Sequence, residues 1–83
     1  METQAIYEKV VSLISPYVKK EGALQSVSHS TKILEDLGVN SARLVDIVLA
    51  FEDTFDIEVE DEAADSIWTI GDAVKLVGSK LNQ

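Results

Sequence analysis

Eighty-three residues make one small domain, and no second core fits. Fifteen acids against seven bases leave a formal charge of -8, which excludes nucleic-acid binding by phosphate neutralisation, while the 46% hydrophobic content is too high for a disordered acidic tail. The absence of cysteine removes disulfides, thiol catalysis and redox roles, and a single histidine makes a transition-metal site a poor expectation.

The first helix is predicted to begin near Thr3. Ile6, Val10, Leu13, Ile14 and Tyr17 recur at three- and four-residue spacing and form one apolar stripe. Pro16 interrupts it, because proline lacks a donor and clashes with the preceding turn. The expectation is a kink near Pro16 and an end near Lys20, before Gly22; Ser15-Pro16 starting a second short turn is the alternative. Tyr7 and Tyr17 are read as packing residues.

Residues 21–36 read as a long, partly ordered loop rich in Gly and Ser. Leu24, Val27, Ile33 and Leu34 are expected to pin it to the core. His29 is read as a surface or capping residue.

The second helix is the clearest element. Asn40 is a good N-cap, and residues 42–55 follow it. Leu44, Ile47, Val48, Phe51 and Phe55 belong to the inward face, and Arg43, Asp46, Ala50 and Asp53 to the polar one. Val45 and Leu49 fall at the boundary, where apolar side chains can stand exposed beside acids.

Residues 56–60 alternate polar and apolar, a strand signal with no partner strand, so an extended connector is expected. The acidic run lacks the central glycine of a calcium loop. A short helix over 61–66 follows. Thr69 then reads as an N-cap, with Asp72 at capping-box spacing. Ile70, Ala73, Val74 and Val77 stripe the last helix. Trp68, just before it, is expected in core or hinge packing, with a role at a ligand pocket as the alternative.

The pattern is all-α: three sizeable helices and a shorter one, with a long loop between the first two. Residues 44–74 hold ten acids and no Lys or Arg. That is either a solvated face or a docking surface for basic partners. There is no Gly-rich phosphate loop and no nucleophile–base pair, so catalysis is not expected. The longest apolar run, residues 47–51, is far short of a membrane span. A cytoplasmic monomer without membrane insertion is the expectation. The residues alone describe an acidic helical interaction domain of open purpose.

Residues 35–55 add to that. Glu35-Asp36-Leu37-Gly38-Val39-Asn40-Ser41-Ala42 and the helix after it resemble the acyl carrier protein family around its modification site. The family pattern is Asp-Leu-Gly, one residue, Asp-Ser-Leu, then an amphipathic helix ending in acids and Phe. The likeness continues through Asp56, Ile57, Glu58, Val59, Asp61 and Glu62, and through Ile67, Thr69, Ile70, Gly71, Asp72 and Val74. Good correspondence covers residues 31–78. The resemblance implies a four-helix bundle whose Ser41 carries 4'-phosphopantetheine, with acyl groups held as thioesters on its thiol. The cofactor would thus supply the sulfur that this chain lacks. A helix N-terminus with free N–H groups suits a phosphodiester at Ser41.

By the same resemblance, Leu44, Val48, Phe51, Val59, Ile67 and Ala73 are candidates to line an acyl pocket. The partners implied are a phosphopantetheinyl transferase and acyl-transfer, synthase or ligase enzymes with basic patches. Ala42, Arg43, Val45, Asp46, Leu49, Asp53, Asp56, Glu58, Glu60 and Asp61 are the candidate docking residues. The chain departs from the pattern at Asn40, Ala42 and Arg43, where the family has Asp, Leu and often an acid. Those changes touch recognition, and Arg43 is placed to contact a phosphate. They point to a specialised carrier of acyl groups. An aminoacyl or peptidyl carrier, or an unmodified acidic interaction module, is the alternative.

Overall fold

The computed structural model describes residues 2–20 and 22–82, so Glu21 of the predicted loop lies outside the described residues. Four α-helices follow one another: α1 (Thr3–Ile14), α2 (Leu44–Phe55), α3 (Asp61–Asp65) and α4 (Ile70–Leu81). Three are long and one is short. The described residues contain no strand, only an isolated antiparallel bridge between Lys32 and Thr69.

Helix α1 buries Ile6, Val10 and Ile14, four residues apart, against α4 and α2. It ends earlier than the sequence suggests. The α-helical bonds stop at Ile14, and Pro16 sits in the first turn of a 3-10 segment, Ser15–Tyr17. Proline's fixed φ suits that position, and its missing N–H is not needed there. Val18 is already extended, so no helix reaches Lys20. Instead the Lys19 and Lys20 N–H groups both donate to the Leu37 carbonyl, at 3.1 and 3.3 Å. The start of the long connection is thereby tied to its end.

That connection contains a short 3-10 segment, Ala23–Ser26, and a set of turns. Ile33 is fully buried, whereas Leu24, Val27 and Leu34 only lean on the core. Leu37 and Val39 are buried as well, at 0% and 4% exposure, so the connection contributes to the core directly. Gly38 between them has φ +69°, and a Cβ there would meet Lys20 Cγ at 2.9 Å. Both the left-handed backbone and the close approach call for glycine.

Tyr7 and Tyr17 pack beside the core, as expected. The Tyr7 hydroxyl donates to the Val27 carbonyl at 3.1 Å, and its ring stacks on the exposed His29 at 4.7 Å.

On α2, Ile47, Val48, Phe51 and Phe55 are buried. Asp56 ends the helix in the left-handed region at φ 55°. Residues 57–60 then connect to α3 without regular structure, and Glu60 is extended where it meets the helix. The alternation there places Ile57 and Val59 against the core and leaves Glu58 and Glu60 exposed. The Val59 N–H, which a partner strand would otherwise take, donates to Glu52 Oε2 at 2.9 Å. Helix α3 buries none of its own residues fully and is held through half-buried Ala64 and the buried Ile67 that follows. Helix α4 buries Ile70, Ala73, Val74 and Val77 and begins with the expected Thr69–Asp72 capping box.

Candidate functional site

Ser41 stands exposed at the head of α2. The residues around it form a 3-10 turn, Ser41–Arg43, before the α-helix starts at Leu44. The predicted α-helical start at Ala42 is thus replaced by a tighter turn. Asn40 caps it: Asn40 Oδ1 accepts from the Ala42 N–H at 2.9 Å, and the Asn40 carbonyl accepts from the Arg43 N–H at 2.8 Å. The Leu44 N–H donates to the Ser41 carbonyl. The N–H groups of residues 42, 43 and 44 are therefore engaged within the turn, contrary to the expectation of free donors beside Ser41. An anion at Ser41 meets the helix dipole and water instead of a cradle of N–H groups.

The approach to Ser41 is rigidly placed. The Val39 N–H donates to the Ile33 carbonyl at 3.4 Å, and the Ile33 N–H to the Trp68 carbonyl at 3.0 Å. The Ile70 N–H donates to Thr31, and the Gly71 N–H to His29, at 3.0 and 2.8 Å. Three of these backbone bonds lock the segment before Ser41 onto the start of α4, and the Val39 bond closes the segment on itself.

Arg43 does not turn toward Ser41. Its guanidinium donates to Asp46 Oδ2 at 3.1 Å, one turn on. The pair is solvent-exposed and worth little to stability, but it cancels an acid on the outer face of α2.

On that face Val45 and Leu49 are 64% and 52% exposed, as their boundary positions suggest. Ala42 and Asp53 are exposed with them, and Asp46 is half-buried. Residues 45, 49 and 53 are four apart, so they form one stripe leading away from Ser41. Asp56, Glu58, Glu60 and Asp61 continue the acidic surface past the helix end. Glu60 is the exception, because Lys80 Nζ donates to both its oxygens at 2.9 Å. That bond and the Lys80 charge hold the Glu60 carboxyl below its ordinary range. Lys80 lies beyond the stretch 44–74, which holds no Lys or Arg.

The pocket candidates divide. Val48, Phe51, Ile67 and Ala73 are 0–7% exposed and belong to one packed core. Val59 packs at its edge, and Leu44 is only half-buried, outside that core. Trp68 does not pack in the core. A residue just before an N-cap can staple onto the first turn of its helix, yet Trp68 is 68% exposed and Ile67 takes the buried place.

A family described as "Phosphopantetheine attachment site" matches residues 9–77, a span that takes in the second half of α1 as well as Ser41. The chain is 40% identical to a protein named acyl carrier protein from Prochlorococcus marinus (strain MIT 9515), over 96% of this chain and 98% of that one. Among solved structures it is similar to the acyl carrier protein from Enterococcus faecalis, with a TM-score of 0.78 and 32% identity over 96% of this chain and 99% of the other. The chain belongs to the acyl carrier protein family, and its cofactor is a covalently attached 4'-phosphopantetheine. The exposed hydroxyl of Ser41, at the head of α2, fits such a group.

Proposed function

We propose that Ser41 is the attachment point of the 4'-phosphopantetheine in this member of the acyl carrier protein family. The observation that carries the proposal is the exposed Ser41 side chain, capped by Asn40 at the head of α2 inside the matched span. In the loading step the Ser41 hydroxyl oxygen bonds to phosphorus at the pyrophosphate of coenzyme A. The phosphoanhydride bond breaks, the nucleotide phosphate leaves, and the serine proton goes to solvent or to a base of the transferase. The arm's thiol then holds acyl groups as thioesters. The chain itself carries and does not catalyse.

The stripe of Ala42, Val45, Asp46, Leu49 and Asp53, continued by Asp56, Glu58 and Asp61, serves as the docking face for enzymes with basic patches. Exposed acids speed and orient encounters more than they tighten them, which suits a carrier that must leave each partner. Asn40, Ala42 and the Arg43–Asp46 pair alter that face next to Ser41, and they support a specialised pathway as the destination.

The test is intact mass after incubation with coenzyme A and a broad-specificity phosphopantetheinyl transferase, with peptide mapping. One phosphopantetheinyl group on Ser41, absent in Ser41→Ala, is the expected result. Failure with transferases of the source organism as well would favour an unmodified interaction module, and Ser41→Ala would then keep its partner affinity.

A further inference from the structure

Arg43 is the chain's only arginine and the only base between Lys32 and Lys75. It shares the 3-10 turn of Ser41. Its Nη1 donates to Asp46 Oδ2 at 3.1 Å, the one hydrogen bond its guanidinium makes among the described residues. The side chains of the pair are 62% and 43% exposed. A guanidinium has five N–H donors in a planar fork, so one contact to one carboxylate oxygen leaves most of it to water. An exposed pair of this kind is held weakly and exchanges readily.

A phosphodiester on Ser41 brings a second anion to the same turn. The N–H groups of residues 42, 43 and 44 are already engaged there. Arg43 is therefore the cationic donor nearest in the chain to the new charge. Residues two apart in a 3-10 segment stand about a third of a turn from each other, and helical side chains lean toward the N-terminus, which is the Ser41 end. A phosphate can take the guanidinium fork in two parallel bonds, against the single bond to Asp46. Asp46 loses little by release, because in the first turn of α2 the helix dipole favours its carboxylate.

We infer that Arg43 exchanges Asp46 for the phosphodiester when Ser41 is loaded, and that the exchange uncovers Asp46 for partners. The inference rests on attachment at Ser41. Before loading, Arg43 neutralises the first acid after Ser41, beside the exposed Val45 and Leu49. After loading, Arg43 neutralises the phosphate and Asp46 regains its field. The face then attracts basic patches more strongly in the loaded protein, by one acid. Arg43 is thus a specificity-determining residue: it lets acyl-handling enzymes favour the loaded carrier over the unloaded one. The acid that the family often has at this position would leave Asp46 free in both states.

The experiment follows the single arginine Nε–H resonance by NMR in unloaded protein and in protein loaded from coenzyme A, with loading on Ser41 verified by mass and peptide mapping. In the unloaded protein Asp46→Asn is expected to shift that resonance. In the loaded protein the same substitution leaves it in place, while Arg43→Gln shifts the phosphorus-31 resonance of the arm. A lysine-rich peptide serves as the basic probe of the face. Asp46→Asn should weaken its binding to the loaded protein about two- to fivefold and leave binding to the unloaded protein unchanged. Melting curves confirm that each variant is folded. An arginine resonance that still moves with Asp46→Asn in loaded protein overturns the inference while leaving attachment intact, as does equal weakening of the peptide in both forms. Absence of any loading on Ser41 of the parent protein overturns the attachment and this inference with it.

Discussion

Thr69 and Asp72 hold each other at the head of α4. Thr69 Oγ1 accepts from the Asp72 N–H at 3.1 Å, and Asp72 Oδ2 accepts from the Thr69 N–H at the same distance. The same carboxylate oxygen takes the Trp68 N–H, also at 3.1 Å. Three donors at a helix start are thereby satisfied within two turns of chain.

Those bonds make stability depend on acid. The Trp68 N–H first, then the Thr69 N–H, hold the Asp72 carboxyl below its ordinary value of 3.8. A depressed folded pKa contributes stability that is full above the unfolded value and is lost as pH falls through the folded one. Asp72→Asn should therefore melt lower than the parent near neutral pH, with the gap closing below about pH 4. Thermal unfolding across that range checks this. Thr69→Ala should cost about 1 kcal/mol through the lost cap.

The glycines of α4 respond in opposite senses to alanine. At Gly71 a Cβ would stand 2.8 Å from the His29 carbonyl oxygen, which also accepts the Gly71 N–H. Overpacking of about 1–3 kcal/mol outweighs the gain of about 0.5–1 kcal/mol in helix propensity. At Gly78 the nearest atom is Ile6 Cδ1 at 3.7 Å, an ordinary contact. Gly78→Ala is expected to raise the melting temperature, and Gly71→Ala to lower it. Denaturant titration of the two variants decides both signs.

Lys80 joins the last helix to the connector before α3 through Glu60. Lys80→Gln removes that tie and leaves Glu60 among the other acids. The Glu60 carboxyl should then titrate higher, back toward its ordinary value of 4.5, as followed by NMR. The melting temperature should fall at low salt and recover at about 1 M salt, where screening acts within about 3 Å.

The turn at Ser41 separates stability from recognition. Asn40→Ala loses the bond to the Ala42 N–H and should cost about 1 kcal/mol, whereas Asn40→Asp keeps an acceptor there. Ala42→Leu touches only exposed surface, so stability should stay within about 0.5 kcal/mol. Its loading rate with a broad-specificity transferase should nevertheless rise. Mass spectrometry over time, beside melting curves, reads the two effects independently.

Local chemistry was legible in the sequence wherever neighbours in the chain decide the outcome. The spacing of Ile6, Val10 and Ile14, the inward face Ile47, Val48, Phe51 and Phe55, and the Thr69–Asp72 box all depend on residues within two helical turns. The exposed Val45 and Leu49 followed from the same period. The turn around Ser41, the proposed attachment point, was legible as a helix start capped by Asn40, since a short run of residues specifies both the loop and the helix start.

What only the tertiary structure decided depends on residues distant in sequence. Helix α1 ends before Lys20 because Lys19 and Lys20 bond to Leu37, on the far side of the long connection. Leu37 and Val39 are buried because that connection folds back over the core. Lys80 meets Glu60 across twenty residues, and Gly71 meets His29 across more than forty. Trp68 faces outward because Ile67 occupies the inward position and the bridge to residues 31–33 fixes the backbone between them. Hydrophobicity alone places a tryptophan inside. Which of two adjacent apolar residues turns inward is set by the hydrogen bonds of the chain lying against them.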